Sequence, residues 1–149
     1  MLSYSYDLVV RNAHGNLIAL VEIKNAKSFP VEFAASLATQ MLEESGLRDI
    51  PYLMVLSQEI GFLWLNATAG AIDSEHVVRL DMTPVLDRYQ REDRTQWLTD
   101  AVLTLRTQQW LTELSMGNVQ SGAEPERTLD SLGFIRAIRA GYVSGDSYL

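Results

Sequence analysis

The fold is decided by two short runs and the turn between them: Tyr6-Asp7-Leu8-Val9-Val10, then Asn12-Ala13-His14-Gly15-Asn16, then Leu20-Val21-Glu22-Ile23-Lys24. The first run alternates between two faces, which is the period of a β-strand. The second run is apolar until its end, as expected of a strand that is covered on both faces. Because the segment between them is rich in turn residues, the sequence predicts an antiparallel hairpin.

Beyond the hairpin, the hydrophobic spacing predicts one helix directly after it and then a series of strands and helices. The predicted helices cover residues 31–45, 84–89, 94–116 and 128–140, the further strands residues 51–57, 62–65 and 77–80, and a linker residues 118–126. Gly46 and Gly117 mark two helix ends. This order predicts an α/β (α+β) sheet core over residues 1–82 and a helical C-terminal region over residues 83–149. We expect that region to pack on the core or to form an oligomer interface.

Composition narrows the class of protein further. The 149 residues include no cysteine, which excludes a thiol nucleophile or a Cys-ligated metal and favours a reducing, cytoplasmic location. The net charge of −7 argues against a protein that coats nucleic acid, because that affinity requires many Lys and Arg contacts to phosphate. No apolar run approaches the roughly 18 residues of a membrane span, so we expect no membrane partner.

The hairpin register brings two acidic side chains together. A turn centred between His14 and Gly15 places Asp7 directly opposite Glu22, and Lys24 shares the face of Glu22 because the two are two positions apart on one strand. Like charges that face each other across a sheet are destabilising unless a cation lies between them. That cation is either the Lys24 ammonium or a divalent metal such as Mg²⁺ or Mn²⁺, which prefers oxygen ligands.

Such a site suits metal-assisted hydrolysis of a phosphodiester. The hairpin and the following helix and strand resemble the catalytic core of the PD-(D/E)xK nuclease superfamily, which has the restriction-endonuclease-like fold. The resemblance extends to RecB-like nucleases and to the N-terminal nuclease regions of type I restriction subunits, and it covers about residues 4–65. It implies a nucleic-acid substrate, DNA or else RNA, and Mg²⁺ or Mn²⁺ as cofactor.

The resemblance also assigns roles to individual residues. Asp7 and Glu22 would be metal ligands, the main-chain carbonyl of Ile23 a further ligand, and Lys24 the catalytic lysine. Gln40 matches a glutamine that the helix after the hairpin carries near the site in several branches of the superfamily.

Two other interpretations fit the same sequence. In the first interpretation, the chain is a catalytically inactive nuclease-like domain that associates through its C-terminal helices, for example as a homodimer. The acidic composition favours this alternative. In the second interpretation, the chain is an unrelated α+β domain whose hairpin only mimics the motif, and Asp7, Glu22 and Lys24 form a surface ion-pair ladder.

Overall fold

A computed structural model describes residues 5–89, 99–118 and 122–148 of the chain. They form a mixed α/β fold in which helices cover both faces of one six-stranded sheet. The strands are β1 (Ser5–Arg11), β2 (Leu17–Ile23), β3 (Asp49–Leu56), β4 (Ile60–Thr68), β5 (Val78–Asp81) and β6 (Tyr142–Tyr148). Their order across the sheet is β5-β4-β3-β2-β1-β6.

The helices are α1 (Val31–Ser45), α2 (Thr83–Tyr89), α3 (Asp100–Ser115), α4 (Glu126–Ser131) and α5 (Phe134–Ile138). Because β2 and β3 are parallel, the chain must cross from one end of the sheet to the other between them, and α1 makes that crossing. Gly46 ends α1 with φ 74°, as predicted. Within the described residues, no helix is both long enough and apolar enough to cross a membrane.

Alternation along β1 and β2 divides the core into two layers. Val9 and Leu20 pack beneath α1, whereas Leu8 and Val21 pack against the C-terminal helices with Trp110. All five side chains are 0–1% exposed, which confirms that β2 is covered on both faces and shows that β1 is covered on both faces as well. Burial of such apolar side chains contributes roughly 1.5–3 kcal/mol each and provides most of the stability of the sheet.

The predicted hairpin register is confirmed from Leu8 to Val10, where β1 pairs with residues 19–21 of β2. Leu8 lies opposite Val21 and Val9 opposite Leu20, and the pairing shifts at a bulge between Val10 and Arg11. On the turn side of the bulge Arg11 faces Leu17, one residue off the predicted register, whereas the pairing on the Asp7 side keeps that register. The same register, continued by one residue, therefore sets Asp7 opposite Glu22.

The C-terminal region departs from the prediction in two ways. The single helix expected over 128–140 is wrong, because Gly133 adopts φ 79° and separates α4 from α5. The last residues form β6, a strand that the sequence patterning does not predict and that pairs antiparallel with β1. The start of the helix expected at 94 lies outside the described residues, and the division of the chain at residue 82 stays a prediction.

The chain approaches β1 closely just before β6. A Cβ atom on Gly141 would lie 2.1 Å from the carbonyl oxygen of Arg11 and 2.9 Å from that of Ile138. We expect Gly141→Ala to lower the free energy of unfolding by about 1–3 kcal/mol in urea denaturation, since backbone must move to admit the methyl group. Gly145→Ala in the same strand is the control, because its Cβ would meet neighbours at 3.6 Å or more. Equal losses of unfolding free energy in the two variants would contradict the conclusion that the close approach of the chain to β1 requires glycine at position 141.

Candidate functional site

The Asp7 side chain spans the gap between β1 and β2. Asp7 lies on the same face of β1 as Val9, beneath α1. Its Oδ2 accepts a hydrogen bond from the Ile23 backbone N–H at 2.7 Å. The carboxylate is partly buried, so this charge-assisted bond fixes its position relative to β2. Ile23, whose carbonyl the resemblance to the nuclease superfamily implies as a metal ligand, is therefore held against Asp7 through its backbone N–H.

Glu22 is a buried acid on the same face of the sheet. It is 8% exposed and pairs in the parallel ladder with Val55 of β3. Its Oε1 lies 3.8 Å from Nζ of Lys24, which forms a loose ion pair. A carboxylate removed from water at this depth requires positive charge or hydrogen-bond donors beside it.

Lys24 connects this buried acid to solvent. Its side chain is 41% exposed, whereas that of Glu22 is 10% exposed, so the ammonium lies on the open side of the pair. The backbone at Lys24 is fixed because its N–H donates to the Leu56 carbonyl at 2.9 Å. The three side chains that the sequence predicted as the site, Asp7, Glu22 and Lys24, thus occupy neighbouring positions at the carboxyl end of β2.

Two further residues support the segment that follows the site. Gln58 Nε2 donates to Asn25 Oδ1 at 2.8 Å, and the Gln58 N–H donates to the Ala26 carbonyl at 3.0 Å. The turn between β3 and β4 therefore holds the chain directly after Lys24. Sequence patterns do not select Gln58, because its partners follow the end of β2, and β2 lies beside β3 only in the folded sheet.

The predicted site glutamine lies on α1. Gln40 is exposed, and its Nε2 donates to Oε1 of Glu44 at 3.0 Å, one helical turn further on. Its role at the site stays a prediction.

The oxygen donors fit a small, hard divalent cation. Mg²⁺ is commonly bound by one or two carboxylates and retains several waters, and Asp7 and Glu22 are two carboxylates on adjacent strands. Neighbouring strands lie about 4.8 Å apart, a separation that one ion or a bridging water can span. Among the described residues, no group of three or more His, Cys, Asp or Glu side chains is arranged to hold a metal ion.

A second ionisable pair lies in the loop before β5. Asp73 accepts hydrogen bonds from the backbone and from the ring of His76, which lowers the pKa of Asp73 to about 2. The bond to Asp73 raises the pKa of His76 above its usual 6.5. Both side chains are exposed, and they form an Asx turn that fixes the loop.

Comparisons of the chain with protein families, with curated proteins and with solved structures find no match. The functional assignment consequently depends on the chemistry of the site. Its features are two carboxylates that face each other across a hairpin, one of them buried, and a lysine at the solvent edge.

Proposed function

We propose that the protein is a metal-dependent phosphodiesterase that acts on nucleic acid, with DNA as its substrate class. The supporting observation is the geometry of Glu22, which is 8% exposed, lies in register with Asp7 and has the Lys24 ammonium 3.8 Å away. A buried ion pair adds little net stability, so apolar side chains at the positions of Glu22 and Lys24 would stabilise the fold at least as well. The restriction-endonuclease-like assignment belongs to this proposal.

Each residue has a distinct role in the proposed reaction. Asp7 and Glu22, with the Ile23 carbonyl, would hold Mg²⁺ or Mn²⁺. When bound, the ion supplies a water of lowered pKa and neutralises charge on the phosphate. Lys24 orients the attacking water and donates to the phosphate oxygens as their negative charge increases. Its exposed ammonium is accessible to a nucleic-acid backbone while Glu22 stays shielded.

The acidic composition is compatible with such an enzyme. A metal-centred site needs carboxylates and only local positive charge. Both lysines of the chain, Lys24 and Lys27, lie at or just after the end of β2, next to the proposed site. We therefore expect weak, salt-sensitive binding to DNA in the absence of a divalent ion.

The first experiment measures cleavage of single-stranded and double-stranded DNA by the native protein with Mg²⁺ or Mn²⁺. We expect cleavage that requires the metal and stops on addition of EDTA. Cleavage that persists unchanged in EDTA would contradict the proposed chemistry. Absence of cleavage with all substrates and both metals would favour a role in association.

One observation favours that second candidate. Leu105 lies in α3 and is 58% exposed. Met116, at the C-terminal end of α3, is 68% exposed and lies about three helical turns further along. Contiguous exposed apolar patches mark interaction surfaces, whereas single exposed side chains are common, so these two residues mark only the part of α3 where such a patch would lie. Sedimentation velocity of native protein and of Leu105→Glu tests it, because a dimer formed through α3 would dissociate in the variant.

A further inference from the structure

One cross-strand row of the sheet runs from the buried acid of the proposed site to an exposed arginine at the sheet edge. Its members, paired position by position on β2, β3, β4 and β5, are Glu22, Val55, Phe62 and Arg79. Residues that face each other in adjacent strands share one face of the sheet, and Val55 and Phe62 place this row on the face that α1 covers. Three strand spacings of about 4.8 Å separate the positions of Glu22 and Arg79 by roughly 14 Å.

Three phenylalanine rings lead from the middle of this row to the surface. Phe62 is fully buried, the Phe29 ring lies 5.9 Å from it, and the Phe33 ring lies 5.4 Å from that of Phe29 in an edge-on arrangement. Phe29 follows β2, and Phe33 lies in the first turn of α1, so both are at the end of the sheet where Lys24 lies. Phe33 is 47% exposed although it is packed on Phe29. An aromatic ring that is held in place and open to solvent can stack on a nucleic-acid base at little cost in conformational entropy.

Positive charges lie at both ends of the same surface. The guanidinium carbon of Arg79 lies 5.3 Å from the centroid of the Phe62 ring, a cation–π contact that supports an otherwise exposed side chain. Lys24 and Lys27 lie at the other end, and Lys27 is exposed. Asp81 is on the same face as Arg79, two positions further along β5, so the local charge is partly balanced. We therefore expect base stacking to contribute more to affinity here than charge does.

We propose that Phe33 and Arg79 bind nucleotides that flank the scissile phosphate, and that the substrate is single-stranded DNA. The inference rests on the proposed function, since it specifies the form of nucleic acid that the same site takes. Bases in a duplex are already stacked, whereas each base of a single strand has a free ring face for Phe33. A strand bound at Lys24 that follows the row would pass Phe33 and bring a later phosphate to Arg79. A single nucleotide is too short to reach both Lys24 and Arg79.

The test is fluorescence anisotropy of the full chain with a labelled oligothymidylate of about 12 nucleotides, within the usual site sizes of single-strand binding folds. EDTA is present, so binding is measured without cleavage. We expect Phe33→Ala to weaken binding at least about fivefold, the typical effect of losing one stacked base. Phe33→Leu, which keeps an apolar side chain and preserves packing on Phe29, should weaken binding similarly, whereas Phe33→Trp should keep native affinity. The duplex with oligoadenylate should bind more weakly than the single strand, with equal affinity for native protein and Phe33→Ala.

Arg79 is tested by the dependence of binding on salt. Arg79→Gln should reduce the slope of log affinity against log salt concentration by about 0.7, the value of one phosphate contact on a single strand. The matched controls lie at the opposite end of the sheet. Arg48→Gln removes the same charge from an exposed position directly before β3, and Tyr142→Ala removes an aromatic side chain that is 52% exposed. Both controls should bind as native protein does.

The outcomes separate this inference from the proposed function. Native affinity in Phe33→Ala, together with metal-dependent cleavage by native protein, would overturn the role of Phe33 and leave the proposed function standing. Weaker binding in Phe33→Ala but not in Tyr142→Ala supports the single-strand surface, even in a protein that does not cleave DNA. Equal losses in those two variants would overturn it. Failure of native protein both to bind the oligothymidylate and to cleave DNA would overturn the inference and the proposed function together.

Discussion

Lys24→Met is expected to slow metal-dependent DNA cleavage by at least about 100-fold while Mn²⁺ still binds. The substitution keeps the aliphatic stem and removes the ammonium that lies 3.8 Å from Glu22. Loss of one donor that stabilises developing charge typically costs 10²–10³ in rate. Because a positive charge near the carboxylates opposes a cation, the variant should bind Mn²⁺ with native or higher affinity. Single-turnover cleavage and calorimetry measure the two effects.

The chain contains its own control for this substitution. Lys27 is the only other lysine, is exposed and lies three residues further along. Lys27→Met removes the same charge from the protein, so a purely electrostatic effect on DNA binding would affect both variants equally. Equal rates for the two variants would contradict a specific role of Lys24.

Glu126→Ala is expected to lower the free energy of unfolding by about 3–5 kcal/mol, the usual cost of breaking a buried ion pair. Glu126 is 1% exposed; its Oε2 accepts from Trp110 Nε1 at 3.0 Å and lies 2.6 Å from the Arg88 guanidinium. The carboxylate therefore joins α2, α3 and α4, and its removal leaves a buried cation and an indole N–H without their partner. Urea denaturation measures the loss.

A glutamate on the surface provides the comparison. Glu43 is exposed on α1, and Glu43→Ala should change the free energy of unfolding by no more than about 0.5 kcal/mol. If Glu126→Ala costs less than about 1 kcal/mol, the charge is not structurally important.

Tyr89 also links α2 to α3, because its hydroxyl forms a hydrogen bond with Glu113. Burial and that hydrogen bond raise the pKa of Tyr89.

The hairpin and its acidic pair were predictable because they depend on local sequence. Alternation in β1 and a turn at residues 12–16 predict Leu8 opposite Val21, and that pairing is observed, although a bulge that the sequence does not predict offsets the five-residue turn. The same local rule places Glu22 and Lys24 on one face. The role of Gln40 depends on how α1 lies over the sheet, which no local pattern specifies.

Features that depend on distant partners were not predictable. The sequence places Glu126 in a linker, but Arg88 and Trp110 make it one of the most buried charged residues among those described. β6 has little hydrophobic patterning and is stabilised by backbone pairing with β1.

Glu22→Gln is the decisive substitution for a metal-dependent site built on Glu22, Asp7 and Lys24. The substitution preserves size and removes one charged oxygen ligand, so the account predicts a cleavage rate at least about 100-fold below that of native protein in Mn²⁺. Glu43→Gln, the same change at an exposed position, should cleave at the native rate. Native activity in Glu22→Gln would contradict the claim.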